Sequence, residues 1–403
     1  MSRWPDVPLG EVCEINPKSN GAERLPPSAA VSFVPMAAVD ESLGAIVAAE
    51  RLSLSEISGA YTPFRNGDVL FAKITPCMEN GKAAIARDLA NGCGFGSTEF
   101  HVLRCRSRAL PEWIFAFIRQ PWFREVAKAN FTGTAGQQRV PADFLRAVSI
   151  PVPPLAEQER IVRILDEAEA LRRLRAHADE RTKSVIPAVF SRVFLENPNR
   201  EGWPWDPVAN LVADRPGSIR TGPFGSQLLH SEFTETGVPV LGIDNVVENE
   251  FRWASLRCVP PEKFERFRRF QVFHGDVLVT IMGTVGRCCV APDDLPLSMS
   301  TKHLCVLTPD RHRIHPRYLW GCILFDTEVR RQTRAVGSGA IMEGWNSTII
   351  RELKLRLPPV GLQDEFAASV AEVRALEVAQ RAGRKQLDDL FLSLLHRAFR
   401  GEL

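Results

Sequence analysis

Two glycine-punctuated stretches carry residue types suited to a nucleic-acid surface. Arg220-Thr221-Gly222-Pro223-Phe224-Gly225-Ser226-Gln227 offers an arginine and a glutamine for base edges, on a turn whose backbone N–H groups suit phosphate oxygens. Gly133-Thr134-Ala135-Gly136-Gln137-Gln138-Arg139 offers the same chemistry through Gln137, Gln138 and Arg139. Lys73, Thr75 and Lys82 lie near Gly81, and Thr284, Arg287 and Lys302 lie in the matching stretch of the second half. Any one of these residues alone fits an ordinary polar loop. Arg266-Phe267-Arg268-Arg269-Phe270 adds a basic–aromatic cluster, read equally well as phosphate-tracking or as a solvated helix face.

Catalytic patterns fare worse. Gly92-Cys93-Gly94-Phe95-Gly96 has the look of a glycine loop for S-adenosylmethionine. Such a loop should end an apolar strand, however, and Arg87, Asp88 and Asn91 precede it, so a turn is expected. There is no Asn-Pro-Pro-Tyr or Asn-Pro-Pro-Phe for adenine methylation and no Gly-x4-Gly-Lys-Ser/Thr for nucleotide hydrolysis. Asp310 with Glu352-Leu353-Lys354 imitates a metal nuclease by chance. Cys305, His312, His315 and Cys322 have no common zinc spacing, and Pro316 starts a helix between them.

What must position these loops is written twice. Pro151-Val152-Pro153-Pro154-Leu155-Ala156-Glu157-Gln158 returns as Leu357-Pro358-Pro359-Val360-Gly361-Leu362-Gln363. Gly67-Asp68-Val69-Leu70 returns as Gly275-Asp276-Val277-Leu278, Ser97-Thr98 as Ser300-Thr301, and Gly133-Thr134 as Gly337-Ser338. Pro8-Leu9-Gly10-Glu11-Val12 corresponds loosely to Pro207-Val208-Ala209-Asn210-Leu211. One order and one spacing, about 200 residues, imply a duplication. Each half reads as an α+β region followed by a long helix. Strand-like runs fall at 68–72 and 276–280, and helical stretches fall at Pro111–Asn130 and after Pro316. Apolar residues after each Pro-Pro recur at spacings of three and four, the seam of a coiled coil, and Pro187 should kink or end the first helix.

The composition is that of an ordinary globular chain: 403 residues, 45% hydrophobic, 24% charged, net charge +2. No overall field recruits a polyanion, so any such site must be local. The 9 cysteines without a Cys-x-x-Cys fit reduced thiols, and no apolar stretch or leader is evident, so a cytoplasmic protein is expected.

With these residues in view the chain resembles the specificity subunits of type I restriction–modification systems. The resemblance rests on "PVPPLAEQERIVRILDE" at 151–167, its weaker copy "RLPPVGLQDEF" at 356–366, "GDVL" at 67–70 and 275–278, and "IRTGPFGSQL" at 219–228. It implies two tandem target-recognition domains, 1–150 and 199–355, separated and followed by spacer helices, 151–198 and 356–403, that pack as an antiparallel coiled coil. It also implies a non-catalytic subunit without a cofactor or metal, which binds a bipartite double-stranded DNA site. Its partners would be two methyltransferase subunits and the restriction subunits. The DNA face would comprise Lys73, Thr75, Lys82, Gln137, Gln138, Arg139, Arg220, Thr221, Phe224, Ser226, Gln227, Thr284, Arg287 and Lys302. A coiled-coil scaffold without a DNA role, favoured by the near-neutral charge, and a fused restriction–methylation enzyme are the alternatives.

Overall fold

The computed structural model describes residues 3–57, 60–134, 136–224, 227–254, 256–336 and 345–403. The chain forms two compact units, Met1–Arg175 with Gly383–Leu403, and Ala176–Ala382. In the first unit an antiparallel sheet runs Cys13–Ile15, Phe100–Cys105, Val69–Ala72, Ala83–Ile85. A second sheet runs Glu50–Ser53, Ala30–Val34, Cys93–Gly96, Thr62–Arg65, with the two middle strands parallel. The second unit repeats both sheets. One is Ile219–Thr221, Leu304–Leu307, Val277–Thr280, Cys288–Val290, and the other is Cys258–Val259, Val238–Leu241, Ser298–Ser300, Gln271–Val272, again with a parallel middle pair. The sequence repeat is thus a repeat of topology.

The Gly-Asp-Val-Leu runs show why. Gly67 and Gly275 take left-handed φ values of 87° and 74°, which a side chain resists. The next residue caps the turn: the Asp68 carboxylate accepts the Arg65 N–H at 2.9 Å, and Asp276 accepts that of Phe273 at 2.8 Å. The strands that follow are apolar on both faces because each face meets a different core. Val69 and Phe71 pack among the helices, whereas Leu70 and Ala72 face the second sheet. Val277 and Val279 against Leu278 divide in the same way.

Three local expectations need correction. The helical stretch Pro111–Asn130 is two helices, Pro111–Ile118 and Pro121–Ala129, because Pro121 brings no N–H and restricts the residue before it. The second unit also has two, Pro316–Phe325 and Thr327–Val336. The glycine-rich 92–96 stretch is no turn: Cys93–Gly96 is a strand, and a Cβ on Gly94 would collide with the Phe64 ring. Finally, the backbone aligns Ser97 with Thr301 rather than with Ser300. The Ser97 N–H donates to Val34 at the end of its parallel neighbour, and Thr301 does the same to Leu241.

The helices after the Pro-Pro motifs are Leu155–Lys183 and the 41-residue Val360–Arg400. Regular turns stop at Lys183, four residues before Pro187, whose missing N–H leaves that carbonyl without its helical donor; Val185–Phe190 and a wider turn Ser191–Leu195 continue. The helices pair antiparallel within each unit. In the first, Arg160 donates to the Leu403 carbonyl at 2.7 Å and Arg172 meets Asp388 at 2.7 Å. In the second, Gln380 donates to the Thr182 hydroxyl at 3.0 Å, and the Phe190 and Phe194 rings pack on Phe366. None of the nine cysteines is in a disulfide. No helix among the described residues is long and apolar enough to cross a membrane.

Candidate nucleic-acid interface

In the first unit, strand Val69–Ala72 ends where Phe100–Cys105 begins, since Ala72 faces Phe100 across the ladder, and Cys13–Ile15 runs toward the same edge, ending opposite Leu103. Three loops leave this edge, and the segment Thr132–Arg139 returns to it. The Thr75 N–H donates to the Gln138 carbonyl at 3.0 Å, and the Val140 N–H donates to that of Lys73 at 2.9 Å. Lys73, Thr75, Gln137, Gln138 and Arg139 therefore converge, as their residue types suggest they should. Their roles differ. Arg139 forks onto Glu99 at 2.9 and 2.7 Å and also holds the Gln137 carbonyl at 2.8 Å, so its guanidinium clamps the loop. Arg139 in turn holds the Glu99 carboxyl below its usual range. The Thr75 hydroxyl donates to Glu79. Gln137 is exposed, and the Lys73 side chain forms no hydrogen bond or ion pair among the described residues.

Lys82 stands apart. Its ammonium is held by the Met36 carbonyl at 3.2 Å and by Glu41 at 3.5 Å, with only 16% of the side chain exposed. His101, buried beneath this edge, links two of its segments. Nε2–H donates to the Val140 carbonyl at 2.8 Å, and Nδ1 accepts from the Asn16 amide at 3.0 Å. Burial pushes its pKa down to about 4.

The second unit builds the same edge. Thr221 lies opposite Cys305 and Thr280 opposite Leu304, so loops after 221 and 280 flank Thr301–His303. The Gly222 N–H donates to the Thr301 carbonyl at 3.3 Å, and the Ile281 N–H to that of His303 at 2.9 Å. The buried Thr280 hydroxyl closes the 281–287 loop, donating to the Thr284 carbonyl at 2.5 Å and accepting the Arg287 N–H at 3.0 Å. The Trp345 N–H donates to the Ile281 carbonyl as Val140 does to Lys73. Thr284, Arg287 and Phe224 are exposed, and Thr221 and Lys302 are half-buried. The Gln227 amide oxygen accepts the Phe224 N–H at 3.3 Å. The Arg287 and Lys302 side chains, like that of Lys73, form no hydrogen bond or ion pair among the described residues, although Lys73 lies near enough to Glu99 to help hold that carboxyl down. Ser226 and the Gly337-Ser338 copy lie outside the described residues.

Arg220 is not at this surface. It is 8% exposed, bonded to the Asp276 carboxylate, the Thr308 hydroxyl at 2.9 Å and the Gln271 and Gly217 carbonyls at 2.8 and 3.0 Å. Burial pushes the Asp276 carboxyl up, and the facing guanidinium and the Phe273 N–H oppose that shift. In the first unit Asp68 has the same need, met by Arg104 from a different strand, at 2.9 and 2.8 Å. The register places Thr308 where Arg104 stands, so the two copies meet one buried carboxylate from different backbone positions. Residue types alone missed Asn16, Lys18 and Thr98 of the first edge and Met282 and His303 of the second. Only the strand register brings them there. His303 lies near Lys302 and Arg257, and burial with these cations pushes its pKa down.

The His315 ring accepts the Arg317 N–H at 3.0 Å as a helix cap, and among the described residues no His, Cys, Asp and Glu group is placed to hold a metal.

Residues 1–178 match the family described as the type I restriction modification DNA specificity domain. Over 160 residues the chain is 39% identical to the specificity subunits of the Escherichia coli type I restriction enzymes EcoAI and EcoEI, a match covering 40% of this chain. That match spans only about a quarter of the length of those relatives, 27% and 26%. A chain solved in work on complex assembly and conformational transition of the type I R-M system aligns over 99% of this chain and 98% of its own. Its TM-score is 0.67 at 24% identity, so the likeness beyond the specificity domain is one of fold. The resemblance to type I specificity subunits and the α+β fold with paired long helices are both found.

Proposed function

We propose that the chain is the DNA-recognition subunit of a type I restriction–modification complex, acting in the cytoplasm without chemistry of its own. Each unit reads one element of a bipartite site through the loops at its sheet edge. The methyltransferase subunits, two of them, and the restriction subunits supply catalysis, and this chain scaffolds them. The observation that carries the reading is the repeated edge: two units of one topology, each ending in loops that bear cations with no hydrogen bond or ion pair among the described residues. Lys73 in the first unit and Arg287 and Lys302 in the second fit phosphate, while Gln137, Gln138, Thr221, Gln227 and Thr284 offer amides and hydroxyls to base edges. Arg139 and Arg220 support these loops from below, and Lys82 braces its own turn. The charge is local, in keeping with a net charge of only +2.

The test is a genome methylation map before and after deletion of the gene, together with salt-dependent binding of labelled duplex by the chain with its methyltransferase partner. Loss of one bipartite methylated motif supports the reading. An unchanged map with no duplex binding leaves the coiled-coil scaffold.

A further inference from the structure

The two sheet edges differ in one chemical respect. At the first, the loops Asn16–Gly21, Lys73–Lys82 and Ser97–Glu99 expose no large apolar side chain. At the second, Phe224 is 49% exposed and Met282 40% exposed. These two lie on loops that leave the strands either side of Leu304–Leu307, strands about 10 Å apart at the usual spacing, and Lys302 precedes the strand between them. That separation falls within the width of a DNA major groove, about 12 Å.

Both side chains stand on platforms that fold alone explains poorly. Gly222 is buried against the Ser300 and Thr301 backbone, where a Cβ would collide, and the buried Pro223 fixes the next φ. The chain beneath the Phe224 ring is therefore set before any partner arrives. Met282 follows the buried Ile281, in the loop that the Thr280 hydroxyl closes. Exposed apolar groups on rigid loops, beside the unpartnered cations Arg287 and Lys302, suit a polyanion with an apolar feature in its groove. In a duplex that feature is the thymine C5 methyl.

Building on the DNA-recognition reading, we propose that Phe224 and Met282 are specificity-determining residues. They contact thymine methyl groups in the element read by the second unit, whereas the first unit reads its element by polar contacts alone. One methyl buried against Phe224 or Met282 is worth about a three- to five-fold change in affinity.

The test uses the full chain with its methyltransferase partner and duplexes carrying the mapped site. Each thymine of each element is replaced singly by deoxyuridine, which removes the methyl and leaves every hydrogen bond. Uracil should weaken binding about three- to five-fold at one or more positions of one element and at none of the other. In Phe224→Ala combined with Met282→Ser that sensitivity should vanish while selective binding persists. Both residues are exposed, so the fold should survive, and circular dichroism checks this. Unaltered binding of every uracil duplex, an element without thymine, or a uracil penalty retained by the double variant overturns the inference alone. Failure to bind any duplex selectively overturns the recognition reading itself.

Discussion

Gln158 and Gln363 hold the same three backbone groups in the two units. The Gln158 amide oxygen accepts the Leu110 N–H at 2.9 Å, and its nitrogen donates to the Arg108 and Pro153 carbonyls at 2.9 and 2.8 Å. Gln363 does the same with the His315 N–H at 2.8 Å and the Arg313 and Pro358 carbonyls at 3.4 and 3.0 Å. Both side chains are fully buried. Each ties the first turn of a long helix to the residue before a helix-starting proline, whose N–H would otherwise lack an acceptor. A neighbouring contact repeats with different atoms: the Trp113 indole donates to the Pro151 carbonyl, and the Tyr318 hydroxyl donates to that of Arg356.

Gln158→Ala should therefore destabilise the first unit by about 3 kcal/mol, because one donor and two acceptors are left buried without partners. Gln363→Ala should do the same to the second. Urea unfolding of each variant measures this, and a loss under about 1 kcal/mol would mean that water replaces the amide.

The repeat was legible because it is made of turn and cap chemistry. Gly-Asp before a strand and Pro-Pro-x-x-x-Gln before a helix act on backbone within a few residues, so their purpose shows in the local sequence. What was illegible depends on distant partners. Arg220 sits in an Arg-Thr-Gly stretch that reads as an exposed loop, yet Asp276 draws it inside. Arg139 reads as a base contact until strand pairing brings Glu99 beneath it. Met282 has no residue type that marks a nucleic-acid contact, and only the register of Thr280 against Leu304 places it beyond the sheet edge. The break at Pro121 was readable; helical periodicity on both sides masked it.

Arg220→Ala should cost about 3–5 kcal/mol of stability, since it strands the buried Asp276 carboxylate. Arg287→Ala, on an exposed side chain, should change stability by less than about 0.5 kcal/mol and weaken DNA binding instead. Thermal unfolding alongside duplex titration separates the two. Retained stability with relaxed base selectivity in Arg220→Ala would return that residue to the interface.

Lys73→Ala and Lys302→Ala should each weaken duplex binding with little change in sequence preference, because a phosphate contact carries no base information. The dependence of log affinity on log salt should become shallower by about 0.9 for each phosphate no longer neutralised by the protein. Lys82→Ala should leave that slope unaltered, its ammonium already being engaged by Met36 and Glu41. Titrations at several salt concentrations decide. An unchanged slope in Lys73→Ala and Lys302→Ala would remove both from the phosphate set.

His101 sets a pH limit on the first unit. Its ring is neutral in the fold, wedged between Asn16 and Val140, with burial holding its pKa near 4 against an ordinary 6.5. The hydrogen bond to the Val140 carbonyl opposes this shift, Lys73 and Arg146 also disfavour the charged ring, and Glu99 favours it. Above pH 6.5 neither the folded nor the unfolded chain carries this proton, and the neutral ring's contribution is fully present. As pH falls from 6.5 toward 4 the unfolded chain binds a proton that the folded one refuses, so stability drops by up to about 3 kcal/mol. The carboxylates with lowered pKa, Glu79, Glu99 and Glu328, lose their contributions only below about pH 4.5, outside most of this window. His303 and His315, also lowered by burial, titrate the second unit in the same sense. The informative quantity is therefore the difference between the protein and a His101→Gln variant, whose amide can still donate to Val140. Urea midpoints at pH 7.5 and pH 5 should fall further in the protein than in the variant. Because the ring joins the Asn16 loop to the end of the Thr132–Arg139 segment, duplex binding by the first unit should weaken over the same range. Equal falls in both proteins would show that His101 takes up its proton in the fold without resistance.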